Sequence, residues 1–443
     1  MELDKTTYYD LSIFNREEEF SLFHKLDFTT TTGGKDYLRY LYSNPLKDIA
    51  SIEERQKVLQ YILQQEDSWP ADIISNGTIV VMENYLEAQI EPISNPDGVA
   101  LLVSALLTKT IFSPDYSFIK FSFTQLLNLL KGFRQLETNF NTNQTPKILK
   151  QLLDRAHHLL YQKEFNDIIV ASEGGPVSFV QILRYDHYIR KRQRKTISEL
   201  LDIYRRLDAY YAMAKAVRHF NLQFPVFEDT PHPFVELDNL YHLILPKPVA
   251  YDITMKPQSH FLFLTGANMA GKTTFIKAVG VAVFLAHIGM GVPAGSMKLS
   301  FFNGIFSNIQ VQDNIFKGES YFYNEVQRIK NTIIKINDNK KWLVLIDEMF
   351  KGTNVEDAKN CSLAVVNGLL KSTNCLFILS THLYEIAEEL QNAQNIRFKY
   401  FESQVIDDNL YFTYQLKDGV AKEKIGYLIL KREKVLDLLN EIK

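Results

Sequence analysis

The chain has 443 residues, of which 46% are hydrophobic and 23% charged, and its formal net charge is −3. This is the balance of an ordinary globular protein, and its length suits about two to four domains. It excludes a polycation that coats nucleic acid indiscriminately, so any DNA contact has to come from a local patch.

The opening Met1-Glu2-Leu3-Asp4-Lys5 is polar and lacks the apolar core of a signal peptide. From about residue 8 to 225 the pattern is mainly helical. Phe20, Leu22, Phe23, Leu26 and Phe28 form an apolar cluster ahead of the polar run Thr29 to Gly34. Tyr37, Leu38, Tyr40 and Leu41 return at helical spacing, and Asn44-Pro45 stops that helix. Ser51-Ile52-Glu53-Glu54 has the form of a capping box, which predicts a helix starting there. Pro92, Pro96-Asp97-Gly98 and Ser113-Pro114-Asp115 predict short pieces, followed by a helix over Leu126 to Leu136. Asn139 to Pro146 reads as a loop and Glu173-Gly174-Gly175-Pro176 as a sharp turn. One long helical pattern then runs from about Val177 to Asn221.

A boundary falls in Phe224-Pro225 to Pro233, after which strands alternate with helices: Phe261–Thr265, Trp342–Ile346 and Cys375–Ser380. That alternation predicts a largely parallel sheet with helices on its faces. Phe398–Glu402 and Leu410–Leu416 flank Asp407-Asp408-Asn409 and read as a late hairpin. The apolar run Val279 to Val292 contains His287 and three glycines and is short for a membrane span, so a buried core helix is expected. Cys361 and Cys375 have no zinc spacing and are too few for a disulfide framework. They fit a reducing cytosol, and a cytoplasmic protein is expected.

The first predicted strand leads into Gly266-Ala267-Asn268-Met269-Ala270-Gly271-Lys272-Thr273-Thr274 and then a helix. Strand, glycine loop and helix together are the setting of a phosphate-binding P-loop. Gly266 and Gly271 let several backbone N–H groups point at one anion, and the helix N-terminus adds to the field. Lys272 would reach the β- and γ-phosphates of ATP, and the Thr273 hydroxyl would help hold Mg²⁺. Leu343-Val344-Leu345-Ile346-Asp347-Glu348 is a strand ending in two acids. Asp347 suits the metal, and Glu348 suits polarising an attacking water. Ser380-Thr381-His382 ends the third strand. A histidine there is either structural or a sensor of the γ-phosphate, and no companion ligands suggest zinc.

TGANMAGKTTF, HIGMGVPA, GESYFYNE, LVLIDEMFKGTN and STHLYEI, in that order, resemble the ATPase segments of the MutS family. Leu26-Asp27-Phe28-Thr29 and Asn44 to Asp48 resemble the start of that family's lever domain. The resemblance implies an α/β P-loop NTPase of the ABC-type, MutS-like class behind a mainly α-helical lever. The expected boundaries are 1–225 for the lever, its clamp reduced or absent, and 226–443 for the ATPase with a short dimerisation tail. It also implies that Ser320 reaches a partner's nucleotide across a homodimer, and that His382 senses the γ-phosphate. Lys272, Thr273, Asp347 and Glu348 take the roles already read from their positions. Four departures bear on communication between subunits: Tyr321 in the family's STF, Asp313-Asn314 for its paired acids, Lys351 for an arginine and Tyr384 for a second histidine.

The sequence opens on the lever-like segment, so the mismatch-recognition and connector domains of a full-length MutS are not expected in it. A mismatch-repair or recombination ATPase coupled to DNA is therefore expected, one that does not recognise mismatches alone. Arg190, Lys191, Arg192, Arg194 and Lys195 are either phosphate contacts or a solvated helix face. The alternative function is a nucleotide-switched module that holds a protein partner and no DNA. A transporter-type ATPase is disfavoured, because no LSGGQ-like segment lies between the P-loop and Asp347.

Overall fold

The computed structural model describes residues 1–70, 72–90, 98–173, 175–309, 321–406, 409–421 and 438. The chain divides into two compact units. One comprises Met1–Lys25, Pro45–Ile52 and Phe220–Lys443, and the other Leu26–Asn44 and Glu53–His219. One boundary, at His219–Phe220, falls near the cut expected at 225, while Met1–Lys25 and Pro45–Ile52 group with the later residues. The first 25 residues belong with the strand-rich unit, because their polar groups are spent there.

Among the described residues of that unit, eleven strands form two sheets. They are β1 (Glu2–Leu3), β2 (Val226–Phe227), β3 (Val235–Leu240), β4 (Tyr251–Met255), β5 (Phe261–Thr265), β6 (Ser296–Leu299), β7 (Gly304–Asn308), β8 (Trp342–Asp347), β9 (Cys375–Thr381), β10 (Ile396–Ile406) and β11 (Asn409–Asp418). The larger sheet runs β1-β7-β8-β9-β5-β10-β11 and the smaller β2-β6-β3-β4. In the larger sheet the pairs from β1 through β10 are parallel, and β11 returns antiparallel to β10. Strands β5, β8 and β9 are buried at every position, as parallel strands covered on both faces must be. β4 and β6 alternate, as half-buried strands do, and sequence reading passed over them.

The helix Lys272–His287 is apolar all round, and from Ala278 onward it is buried throughout. The core-helix reading of that run holds. Its last residue is locked from both sides. The Phe302 N–H donates to His287 Nε2 at 2.9 Å, and Nδ1 lies 2.7 Å from the Val283 carbonyl. Nε2 is thus an acceptor and Nδ1 carries the proton. Burial pushes the ring down to about 3, so it is neutral at pH 7.

The N-terminal helix Lys5–Asp10 grips the end of β7. Thr7 Oγ1 accepts from Ser307 N at 3.0 Å, and Asp10 Oδ2 accepts from Ser307 Oγ at 2.6 Å and Ile309 N at 3.0 Å. Arg328 pairs with Asp4 and donates to the Ser307 carbonyl at 2.6 Å.

The other unit is helical. Its spine, Arg194–His219, buries Ile197, Leu200, Tyr204, Leu207 and Asp208 among others. Thr32–Ser43 packs beside it, starting inside the polar run because Thr31 caps Gly34 N. The predicted capping box at Ser51 does not form. The helix Ile49–Gln64 starts earlier, and Asp48 accepts from Ser51 N at 2.7 Å. The break expected at Ser113-Pro114-Asp115 separates the helices Gly98–Thr110 and Ser113–Phe140, and Pro114 sits in the first turn of the second, where its missing N–H costs nothing. Pro92 and Pro96-Asp97 lie outside the described residues. The long pattern from 177 to 221 is two helices, Phe179–Arg192 and Arg194–His219.

Buried Asp208 accepts hydrogen bonds from both the backbone N–H and the hydroxyl of Thr30 and of Thr31, at 2.6 to 3.2 Å. Burial raises its carboxyl and the threonine bonds oppose that. Asp208→Ala strands these donors in the interior, so a loss of about 3 kcal/mol or more is expected in urea unfolding. A loss below about 1 kcal/mol would show that the knot is not the anchor.

Candidate nucleotide-binding site

The parallel register brings the sequence-predicted site residues together. Thr265 at the end of β5 stands opposite Thr381 of β9, and Ser380 of β9 stands opposite Asp347 of β8. The P-loop, the paired acids and His382 therefore emerge from three neighbouring strand ends. Gly266 and Gly271 have φ of 141° and 113°. A Cβ on Gly266 would lie 3.2 Å from the Phe401 carbonyl, so the backbone conformation and the close approach both select glycine.

Lys272 Nζ donates to the carbonyls of Gly266 at 2.8 Å and Ala267 at 3.0 Å, and lies 4.0 Å from Glu348 Oε1. Burial lowers its pKa, while the charges of Glu348 and Asp347 oppose that shift. Thr273 Oγ1 donates to Asp347 Oδ2 at 2.5 Å, and Ser380 Oγ donates to the other carboxylate oxygen. The Ser380 contact had no distinct signal beyond its place before Thr381-His382.

Glu348 occupies a positive φ of 59° and donates its N–H to the Ser380 carbonyl at 3.0 Å. Its carboxylate lies 3.1 Å from Lys351 Nζ and 3.4 Å from His382 Nδ1. Burial disfavours its charge, but the hydrogen bond from His382 and the charges of Lys351 and His382 overcome this and hold the carboxyl at about 2. Lys351, which stands where the family has an arginine, thus engages the second acid directly. Buried Glu325 braces the same loop, accepting from Lys351 N and Gly352 N, each at 3.3 Å. Its signal was the last position of GESYFYNE.

Lys272, Thr273, Asp347, Glu348 and Lys351 line a cavity of about 640 Å³. Ala267, Asn268, Met269, Gly271 and Thr274 of the glycine loop also line it, and Leu245, Val249, Tyr251 and Tyr414 supply apolar and aromatic surface. Met269 is exposed, whereas Ala270 is fully buried beneath the loop. His242 also lines the cavity, its Nδ1 buried without a hydrogen-bond partner among the described residues. Burial, helped by the charge of Lys277, pushes its ring down to about 4. Neither His242 nor Tyr414 stands in a motif, and the sequence did not single them out.

Among the described residues no group of three or more His, Cys, Asp or Glu side chains converges as a metal cage. One hydroxyl and one carboxylate beside a phosphate-type loop are instead the donor set that suits Mg²⁺ shared with a polyphosphate. Ser320 and Asp313-Asn314 lie outside the described residues. The basic run is not one surface. Arg190 is buried in an ion pair with Asp186 at 2.7 Å, and Asp186 also accepts from the Tyr85 hydroxyl at 2.8 Å. Lys191, Arg192, Arg194 and Lys195 are exposed, on either side of the helix break at Gln193.

Comparison with known proteins gives the context. Residues 262–436 match the MutS domain V model and residues 6–222 match the MutS domain III model. The chain is a MutS-like protein. It is 24% identical to the DNA mismatch repair protein MutS of Staphylococcus epidermidis, over 95% of this chain and 47% of that protein. Against MutS of Thermotoga maritima it is 29% identical over 54% of this chain and 30% of that protein. Against the DNA mismatch repair protein spellchecker 1 of Drosophila melanogaster it is 30% identical over 46% of this chain and 22% of that protein. The chain spans about half the length of the Staphylococcus relative. The fold is accordingly mixed α/β, with a P-loop NTPase unit and many helices.

The depressed Glu348 carboxyl has a consequence for folding. Its folded value of about 2 lies below the ordinary 4.5. The stability it contributes is therefore complete above the unfolded value and is lost as pH falls towards the folded one. Urea unfolding of wild type should lose more free energy between about pH 5 and 3 than that of Glu348→Gln. Parallel curves would show that the carboxylate is not held in this way.

Proposed function

We propose that this chain binds and hydrolyses ATP as a mismatch-repair- or recombination-related ATPase of MutS type. The observation that carries the reading is the row of Lys272, Thr273, Asp347 and Glu348 at adjacent strand ends. The aromatic and apolar lining residues Tyr251, Tyr414, Leu245 and Val249 suit the base. The loop from Gly266 to Thr274 suits the triphosphate.

Thr273 and Asp347 are the residues that would hold Mg²⁺, which when bound neutralises phosphate charge. Lys272 leaves its loop carbonyls to meet the β- and γ-oxygens. Glu348 orients a water in line with the γ-phosphorus. The water oxygen bonds to that phosphorus as the bridge to the β-phosphate breaks, and ADP and phosphate leave. A carboxylate held at about 2 is a weak base, so its service is to aim the water more than to take its proton. His382, beside Glu348, would feel the γ-phosphate appear and depart.

The finer reading has a helical lever and an ATPase unit working as a cytoplasmic homodimer, with Ser320 completing the partner's site and DNA as the ligand whose hold the nucleotide changes. Of the five basic positions, Lys191, Arg192, Arg194 and Lys195 are left for phosphate contacts, since Arg190 is committed to Asp186. That loss favours, as a second reading, a nucleotide switch that holds a protein partner.

Steady-state hydrolysis should fall about 10²- to 10³-fold in Glu348→Ala with ATP still bound, whereas Lys272→Ala should lose ATP binding itself. With homoduplex, mismatched and branched DNA added, stimulation of the wild type establishes DNA coupling. Hydrolysis indifferent to all three moves the assignment to the protein-partner switch, and absence of hydrolysis in wild type overturns the enzymatic reading.

A further inference from the structure

His242 lines the cavity and has no part in the hydrolysis described above. It follows β3 and opens the connection to β4 that also brings Leu245, Val249 and Tyr251 to the cavity. Its neighbours fix its place. The Tyr241 N–H donates to the Pro293 carbonyl at 3.0 Å, and the His242 carbonyl accepts from Leu245 N at 3.1 Å. Tyr251 is held in turn by edge-on contacts with the rings of Phe275 and Phe401, at 5.4 and 5.7 Å between centroids. The glycine loop and the strand ends thus supply the groups that suit phosphate. The β3–β4 connection supplies apolar and aromatic surface, with His242 and the exposed Lys247 among it.

We propose that His242 determines which nucleobase the cavity takes, its Nε2 accepting a hydrogen bond from the exocyclic amino group of adenine, a role that rests on the ATP reading above. Nδ1 is shut off from solvent, so Nε2 is the nitrogen that a bound molecule can meet. Burial and the charge of Lys277 oppose a second proton on the ring. The ring therefore carries one proton, and the tautomer decides what Nε2 can do. The His242 carbonyl favours a proton on the ring, although it does not reach hydrogen-bond geometry. Nδ1, bonded to the carbon that joins the ring to the chain, is the nitrogen near enough to feel that carbonyl. It holds the proton, and Nε2 presents a lone pair. The other tautomer would set a buried Nδ1 lone pair against the carbonyl oxygen, with no donor to relieve it.

A neutral acceptor selects a neutral donor. An ionised phosphate has no proton to give it, and the Lys277 charge that bears on the ring disfavours a cation there. Adenine offers an amino group, whereas guanine carries an oxo oxygen at the same ring position. With guanine two lone pairs would face each other and both would stay unpaired. A site built to hydrogen-bond one ligand group discriminates best against a ligand that leaves such atoms unmatched. The ribose hydroxyls are the other neutral donors on the same nucleotide, and a deoxy analogue tells them apart from the base.

Nucleoside diphosphates read the base without hydrolysis. Full-length wild type, His242→Leu and His242→Gln are titrated by calorimetry, in the presence of Mg²⁺, with ADP, GDP, 2′-deoxy-ADP and purine riboside diphosphate, which lacks only the amino group. Wild type should bind ADP about fivefold tighter than purine riboside diphosphate and about tenfold or more tighter than GDP. His242→Leu should bind ADP no better than purine riboside diphosphate. His242→Gln, whose amide oxygen takes the place of Nε2, should restore the preference for ADP. Melting curves check that both variants fold, and should His242→Leu fail to fold, the wild-type ratios and His242→Gln decide. Wild type that binds ADP and purine riboside diphosphate equally overturns the inference and leaves the ATP reading standing. So does a full ADP preference in His242→Leu. A loss in His242→Leu that matches the loss on 2′-deoxy-ADP, and not that on the purine analogue, overturns it in favour of the sugar. Wild type that binds none of the four overturns the ATP reading itself, and this inference with it.

Discussion

Three parallel strands that end level with one another set the terms for the rest of the molecule. β8, β9 and β5 lie side by side and buried on both faces, so their interiors admit only apolar side chains. Chemistry is confined to the residues just beyond the apolar stretch, and the register decides which of these meet. Asp347 faces Ser380 and Thr265 faces Thr381, so the glycine loop, two acids and a histidine arrive at one place without any long-range loop having to carry them.

The same confinement explains the density of charge there. Asp347 is buried and spends both carboxylate oxygens on hydroxyls, from Thr273 and Ser380. Glu348 turns the chain through positive φ, a conformation that a non-glycine residue holds only where its surroundings over-determine it. The Ser380 carbonyl, Lys351, His382 and, one step further out, Glu325 supply that determination. A buried carboxylate stays charged only with such partners. A glycine loop shaped like a phosphate cradle and an ionised carboxylate beside it are thus two outcomes of one packing arrangement.

Much of this was legible from local pattern. The three core strands, the glycine loop and the paired acids are contiguous and repeat one grammar, so Phe261–Thr265 was read to the residue and β8 and β9 to within one. The late hairpin was visible from its two strands, although its turn residues Asp407 and Asp408 lie outside the described residues. What escaped depends on contacts between distant segments. The smaller sheet is built of short, half-buried strands whose partners lie as far apart as Val226 and Lys298. Arg190 looked like part of a cationic stripe because sequence shows charge but not the Asp186 carboxylate beneath it. At Ser51 the side-chain pattern was right for a cap, but Asp48 stands three residues earlier and its carboxylate takes the N–H first.

The grip of the Lys5–Asp10 helix on Ser307 and Ile309 has an implication for how the chain assembles as it is made. β1 pairs with β7 across some 300 residues, and closing so long a loop is slow. The stretch from Glu53 to His219 is by contrast continuous in one unit and lies wholly ahead of β7 in the chain. On the ribosome the helical unit is therefore complete while the first residues still wait for their strand. The larger sheet is completed last, with the segment synthesised first at its edge.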